Sequence, residues 1–419
     1  MSTFNIIATT PEETVVTEYV PEKDAATDYQ SEAQLEENFI ARLVAQGYEY
    51  LTIPGETALI ENLRCQLEAL NHFTFSDAEW SRFFTQNIAG TNDGIVEKTR
   101  RVQEDHVQIL TRDDGSTKNI YLLDKKSIHN NHLQVINQYV ESGGAHETRY
   151  DVTILVNGLP LVHVELKRRG VEIREAFNQI NRYQRDSFWA SSGLYEYVQI
   201  FVISNGTHSK YYSNTTRISH IKESGETERK KSKKTSNSFE FTSFWADAGN
   251  KVIPDLSDFT KTFFAKHTIL SILTRYCVFT SEHLLLVMRP YQIVATERIL
   301  NRIESSNNRK KTGTLEAGGY IWHTTGSGKT LTSFKTAQLV AALPYIDKVI
   351  FVVDRKDLDY QTMKEYDKFE KGAADGNTST RVLQRQFEDR DEKGNPHEYR
   401  IIVTTIQKLD VFIRKNPAH

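Results

Sequence analysis

The 419-residue chain is poor in sulfur: two cysteines, Cys65 and Cys277, and three methionines. Two thiols build neither a disulfide framework nor a cysteine zinc cage, so an intracellular, cytoplasmic protein is expected. Long apolar runs are lacking too. The most apolar window, ILSILTRYCVFTSEHLLLVM (269–288), is interrupted by Arg275, Glu282 and His283. It reads as a buried helix followed by a strand, and no membrane partner is expected. The N-terminal MSTFNIIATTPEETVV has no basic start before an apolar stretch, so no signal peptide is expected. Neither sign of charge is in excess: 52 Lys and Arg face 55 Asp and Glu, net −3. A nucleic-acid partner would have to be met by local basic patches. Hydrophobic content of 38% and charged content of 26% suit a soluble globular chain, and its length predicts two or three domains.

Residues 1–30 are polar and acidic and read as a loose arm. SEAQLEENFIARLVAQGYEY (31–50) reads as a helix. Ser31 and Gln34 form a capping box, Leu35, Phe39, Ile40, Leu43 and Val44 form one apolar face, and Gly47 ends it. Residues 57–104 are expected to be mostly helical, and 107–124 a hairpin around Asp114-Gly115. A second hairpin follows at 149–167, then a helix from Ile173 to Phe188 and a strand at YVQIFVIS (197–204). KESGETERKKSKKTSNS (222–238) is a low-complexity charged run that reads as a solvated loop. A DNA-contacting loop built on Arg229, Lys230, Lys231, Lys233 and Lys234 is the sharper alternative. The first domain is expected to end near residue 255. Beyond it, RPYQIVATERIL reads as a helix, GYIWH as a short strand, TLTSFKTAQLVAAL as a helix, and KVIFVVD and RIIVTTIQ as buried strands. Alternation of this kind implies a parallel sheet.

HTTGSGKT (323–330) lies between an expected strand and an expected helix, the context of a phosphate-binding loop. Gly326, Ser327 and Gly328 would let the backbone close around phosphates, aided by the helix N-terminus. Lys329 would reach the β- and γ-phosphates of ATP and Thr330 would hold Mg²⁺. His323 stands where the strict pattern has glycine.

The hairpin RYDVTILVNGLPLVHVELKRRG (149–170) carries Asp151, Glu165 and Lys167 among apolar residues. Burying charge is costly. Glu165 and Lys167 share a strand face. Whether Asp151 joins them depends on register. A two-residue Asn157-Gly158 loop pairs Val156 with Leu159 and sets Asp151 against Val164, on the wrong face. A three-residue loop with a bulged Gly158 pairs Leu155 with Leu159 and brings Asp151 to the face of Glu165. A bulged turn or an equivalent one-residue offset is therefore expected. Two carboxylates on one face can hold a hard divalent cation, Mg²⁺, and a surface salt bridge is the plain alternative.

The hairpin resembles the PD-(D/E)xK nuclease site, with Asp151, Glu165 and Lys167 in its D…ExK positions and Tyr150 where that motif has proline. Gln179 and Tyr183 resemble the QxxxY motif of some such nucleases, which helps bind DNA, with Arg182 and Arg185 as phosphate contacts. Glu36 is a candidate accessory acid, with Glu32 its rival. The second half resembles motifs I, Ia and Ib and the Gln motif of superfamily 2 helicases. That resemblance implies adenine reading by Gln292 and DNA contacts by Arg355, Gln361, Thr404 and Thr405. The expected fold is thus α/β: a PD-(D/E)xK nuclease domain at 1–255, with a mixed sheet flanked by helices, then a truncated RecA-like helicase domain at 256–419.

Their order along the chain resembles the R (HsdR-type) subunit of a type I restriction endonuclease. The resemblance implies Mg²⁺-dependent cleavage of double-stranded DNA, ATP-driven translocation, and modification and specificity subunits as partners. The family's acidic Walker B element does not appear before His419, which implies ATP binding with negligible hydrolysis by this chain alone. Another nuclease–helicase fusion and a non-catalytic DNA- or nucleotide-binding module are the alternatives.

Overall fold

The structure is a computed structural model describing residues 14–15, 18–21, 30–144, 147–214, 237–354, 364–369, 375–376, 379–391 and 393–416. They fall into two compact units, Met1–Phe279 with His283–Tyr291, and Thr280–Glu282 with Gln292–His419. Arg229, Lys230, Lys231, Lys233, Lys234, Arg355 and Gln361 lie outside the described residues.

Helix α1 (Glu32–Ala45) begins as its sequence dictates. Ser31 accepts from the Gln34 amide, and the Gln34 side chain returns the bond. Gly47 takes φ 89° just past its end, a conformation that costs glycine little. Leu35, Phe39 and Leu43 are buried, each such side chain contributing about 1.5–3 kcal/mol. Val44 instead lies exposed. Helices α2 (Glu56–Asn71), α3 (Asp77–Phe83) and α4 (Ile95–Gln103) fill the stretch expected to be helical. Strands β2 (Val107–Thr111) and β3 (Thr117–Tyr121) form the Asp114-Gly115 hairpin.

The first unit centres on a seven-stranded mixed sheet. Its strands are β1 (Glu49–Leu51), β4 (Leu133–Glu141), β5 (Thr148–Val156), β6 (Leu159–Leu166), β7 (Ile200–Ser204), β8 (Ser209–Ser213) and β9 (Ser243–Phe244), and their spatial order is that same chain order. β1 runs parallel to β4 and β6 parallel to β7; the other neighbours are antiparallel. Every residue of β6 and β7 is buried, the pattern of strands covered on both faces. Helix α5 (Ile173–Asp186) buries Ala176, Phe177, Ile180 and Tyr183.

Two outcomes differ from the sequence reading. The helices Leu256–Phe263 and Lys266–Arg275 belong to the first unit, beyond the expected boundary at 255. Their aromatic residues explain this: Phe264 packs on Phe39 of α1, and Phe263 on Trp245 and Tyr211. The arm is also not wholly loose, because Val15 and Tyr19 are buried and Thr268 donates to the Thr14 carbonyl. Among the described residues no helix is long and apolar enough to cross a membrane.

The second unit holds the helix Pro290–Asn308 from Gln292 onward, the helix Lys329–Ala341 and a three-stranded parallel sheet in the order β10 (Val349–Val353), β12 (Ile401–Thr405), β11 (Asp375–Gly376). Phe334 packs against Tyr366 and Phe369. Leu383, Ile402 and Phe412 form a second cluster. Of the expected strands, β12 is buried throughout, whereas β10 is only partly covered. GYIWH is not a strand here: Tyr320 is 90% and Trp322 88% exposed. Its residues suit a pleated surface, but a strand exists only with a ladder partner.

Candidate active site

The register of the β5–β6 hairpin decides what its charges can do. Asn157 and Gly158 both take positive φ, 50° and 82°, as a two-residue type I′ turn requires. Val156 accordingly pairs with Leu159. The turn is packed in place: a Cβ on Gly158 would lie 2.6 Å from the Leu63 Cα of α2. The three-residue turn weighed from sequence is therefore not the one formed. The offset sits two residues on: Leu155 pairs with Pro160, and the next rung is Ile154 with Val162, leaving Leu161 as the extra residue. Proline has no N–H to give the ladder, which favours a bulge beside it. Past the bulge Val152 pairs with Val164, so the continuing register brings Asp151 across from Glu165.

Asp151 Oδ2 accepts the Leu166 amide at 2.9 Å. Lys167 Nζ donates to Glu165 Oε1 at 2.8 Å and to the Leu166 carbonyl at 3.0 Å. Glu165 is fully buried, and no donor reaches its Oε2. Burial pushes the Glu165 carboxyl up to about 7 against the pull of Lys167. Burial, then the charge of Glu165, pushes Asp151 up to about 7. Burial works against the Lys167 ammonium, but Glu165 and Asp151 outweigh it and hold the lysine above its ordinary value. The site thus has two adjacent carboxyls that resist carrying full negative charge together, and one carboxylate oxygen without a donor. A hard cation bound by oxygen ligands suits that arrangement.

The candidate accessory acid Glu36 and its rival Glu32 differ in burial. Glu36 is buried, and its carboxyl takes Asn137 Nδ2 and Gln138 Nε2, each at 2.5 Å. Gln138 has φ 53° and is skipped between the pairs Asn137–Val152 and Tyr139–Tyr150. The register is unbroken there, and the left-handed backbone of Gln138 accompanies two consecutive amides on one carboxylate. Burial raises the Glu36 pKa against these amide bonds, and the charge of Asp151 raises it further. Glu32 is exposed and accepts the Arg168 amide at 3.3 Å. Among the described residues no three His, Cys, Asp or Glu side chains are placed to hold a metal together. The candidate ligands are therefore the pair Asp151 and Glu165.

On α5, Gln179 Nε2 donates to the Tyr183 hydroxyl at 2.5 Å, and that hydroxyl donates to the Arg149 carbonyl at 3.0 Å. Tyr183 is buried, and burial, then the Glu165 charge, raises its pKa. Arg182 is exposed, whereas Arg185 is paired with Asp186. Sequence reasoning missed His163. It is fully buried, its Nε2 lies 3.7 Å from Glu165 Oε2, and burial pushes its pKa down to about 4. The signal was present, since His163, Glu165 and Lys167 alternate along one strand.

In the second unit Gly326 and Gly328 take φ 78° and 76°, and Gly328 caps the helix Lys329–Ala341. Ser327 donates its hydroxyl to the Thr324 carbonyl at 2.8 Å, and Lys329 Nζ lies 3.3 Å from the carbonyls of His323 and Thr324. Thr330 is half-buried in the first turn of that helix. Gln292 is buried, and its Nε2 donates to the Ser327 carbonyl at 2.9 Å. A Cβ on Gly328 would collide with that amide. Thr404 and Thr405 are not presented as DNA contacts: both are fully buried, and the Thr405 hydroxyl caps the helix Ile406–Lys415.

Residues 29–220 match the family of the type I restriction enzyme R protein N terminus, and residues 291–418 match the SWI2/SNF2 ATPase family. The EcoprrI type I restriction enzyme endonuclease subunit of Escherichia coli is 51% identical over 293 residues, 70% of this chain and 88% of that relative. The SsaAORF53P endonuclease subunit of Staphylococcus saprophyticus is 41% identical over 395 residues, 93% of this chain. The chain spans 38% of that relative's length. A putative endonuclease subunit of Methanocaldococcus jannaschii, MjaVIIP, is 28% identical over 271 residues, 59% of this chain and 22% of the relative. An N-terminal R-protein match, an ATPase match behind it, and high identity across most of the Escherichia coli subunit agree, and the chain belongs to the endonuclease (R) subunits of type I restriction enzymes.

Proposed function

We propose that the first unit is a PD-(D/E)xK-type, Mg²⁺-dependent nuclease acting on double-stranded DNA, joined to an ATP-binding, RecA-like motor unit that drives translocation. The supporting observation is half-buried Asp151 beside fully buried Glu165, with Lys167 on Glu165 Oε1. Asp151 and Glu165 would hold Mg²⁺, which supplies an acidified water and charge neutralisation at the scissile phosphodiester. Lys167, kept cationic by its carboxylates, faces the developing negative charge and orients the attacking water. Tyr183 acts through position: its buried hydroxyl ties α5 to the Arg149 carbonyl, leaving exposed Arg182 to meet a phosphate. Glu36, neighbour to Asp151, limits how much negative charge the pair carries without a cation.

In the second unit Gly326, Ser327 and Gly328 would line the phosphates of ATP. Lys329 would exchange its carbonyl partners for phosphate oxygens, and Thr330 would serve Mg²⁺. The partners are modification and specificity subunits. The test is cleavage of plasmid DNA by the chain assembled with those subunits, ATP and Mg²⁺. Linear product is expected, and its persistence in Glu165→Ala would exclude this site.

A further inference from the structure

The geometry points to His163 as a positioning residue whose Nε2–H holds the Glu165 carboxylate ready for a divalent cation. This rests on the proposed metal-binding role of Asp151 and Glu165. Two buried polar atoms without hydrogen-bond partners face each other here, His163 Nε2 and Glu165 Oε2, 3.7 Å apart. That is longer than a hydrogen bond, and a movement of roughly 0.7 Å closes it. Both side chains are fully buried, so no water competes for the contact.

The other side of the ring says which nitrogen carries the proton. His163 Nδ1 is 3.3 Å from the Thr153 hydroxyl, which is 3.3 Å from the Tyr195 hydroxyl. Tyr195 can donate to Thr153, and Thr153 to Nδ1, leaving the proton on Nε2. The reverse tautomer would aim a nitrogen lone pair at a carboxylate oxygen. Glu165 therefore selects the Nε2–H form. Rings of Tyr150, Tyr183, Phe188 and Phe201 surround the imidazole at 5.5–6.4 Å and fix its plane. With Lys167 on Oε1, the glutamate is gripped at both oxygens and each keeps a lone pair for a cation. Groups that orient a metal ligand in this way typically change metal affinity about 10- to 100-fold when removed.

The test is calorimetric binding of Mn²⁺ to the purified chain, without DNA or ATP. His163→Phe, which fits the aromatic cage, is expected to weaken binding about 10-fold. His163→Gln, which restores an N–H donor, is expected to recover most of it. Thr153→Val leaves the imidazole in place but frees its tautomer, and is expected to weaken binding about threefold; it carries the test should His163→Phe not fold. Nitrogen-15 spectra of the metal-free chain should show His163 protonated at Nε2. Wild-type Mn²⁺ affinity in both His163→Phe and Thr153→Val, or an Nδ1-protonated ring, overturns the inference. Unchanged affinity in Glu165→Gln would instead overturn the metal site itself, so the two failures are distinct.

Discussion

Asp151 Oδ2 accepts the backbone N–H of Leu166 at 2.9 Å, so the first acid of the site is bonded to the strand that carries the second. The bond gives Asp151 a structural role beside its proposed chemical one, and two substitutions separate the roles. Asp151→Asn keeps an oxygen acceptor, so the fold is expected to hold within about 0.5 kcal/mol in urea unfolding while Mn²⁺ binding is lost. Asp151→Ala leaves the Leu166 amide unpaired and is expected to cost about 1–3 kcal/mol besides. Equal destabilisation by both would show that the hydrogen bond contributes nothing.

The raised carboxyls give the metal-free chain a pH dependence of definite sign. Asp151 and Glu165 each titrate near 7 in the fold, against about 4 in an unfolded chain. Stability from the protonated pair is fully present below about pH 4 and is lost as pH rises through 7. Cation binding runs the other way, because it displaces protons. Thermal unfolding at pH 6, 7 and 8 is expected to show Mg²⁺ stabilising the chain progressively more. Glu165→Gln should flatten the trend and raise the metal-free Tm at pH 8 by about 2 °C or more. A Mg²⁺ effect equal at pH 6 and 8 would contradict the pairing.

Lys167 lowers the pKa of Glu165 by charge and by its hydrogen bond at 2.8 Å. Lys167→Met removes both while keeping a long apolar stem. The Glu165 carboxyl should then ionise at higher pH, and the midpoint of Mn²⁺ binding against pH should move upward by about one pH unit. Lys167→Arg should leave that midpoint in place yet reduce cleavage, because a planar fork cannot reproduce a compact ammonium. A midpoint indifferent to Lys167→Met would place the lysine outside the carboxylates' field.

What could be read from sequence follows the range of the interaction. The capping box of Ser31 and Gln34 spans three residues and formed as read. The Asn157-Gly158 turn was visible, but its geometry and the position of the offset were not. The local clue was Pro160, whose missing N–H marks the bulge. His163 alternates visibly with Glu165, yet its meaning comes from Thr153 and Tyr195, ten and 32 residues away. Thr405 looked like a ligand at a strand end, and tertiary burial with a helix cap claimed its hydroxyl. GYIWH has the residues of a strand, but pairing is a property of the neighbour.

Gln292 provides a test of position against base reading. Its amide reaches the proposed phosphate-binding loop, donating to the Ser327 carbonyl at 2.9 Å, whereas the sequence motif implies adenine recognition. If loop support is its contribution, Gln292→Ala removes one hydrogen bond and should weaken ATP and GTP alike, by about 10-fold. Gln292→Glu should be worse, since a buried carboxylate would face the Ser327 carbonyl oxygen. Fluorescent ATP and GTP analogues titrated into the chain measure both effects, with Lys329→Ala as the variant expected to abolish binding. Loss of ATP affinity with GTP affinity unchanged would assign Gln292 to the base instead of the loop.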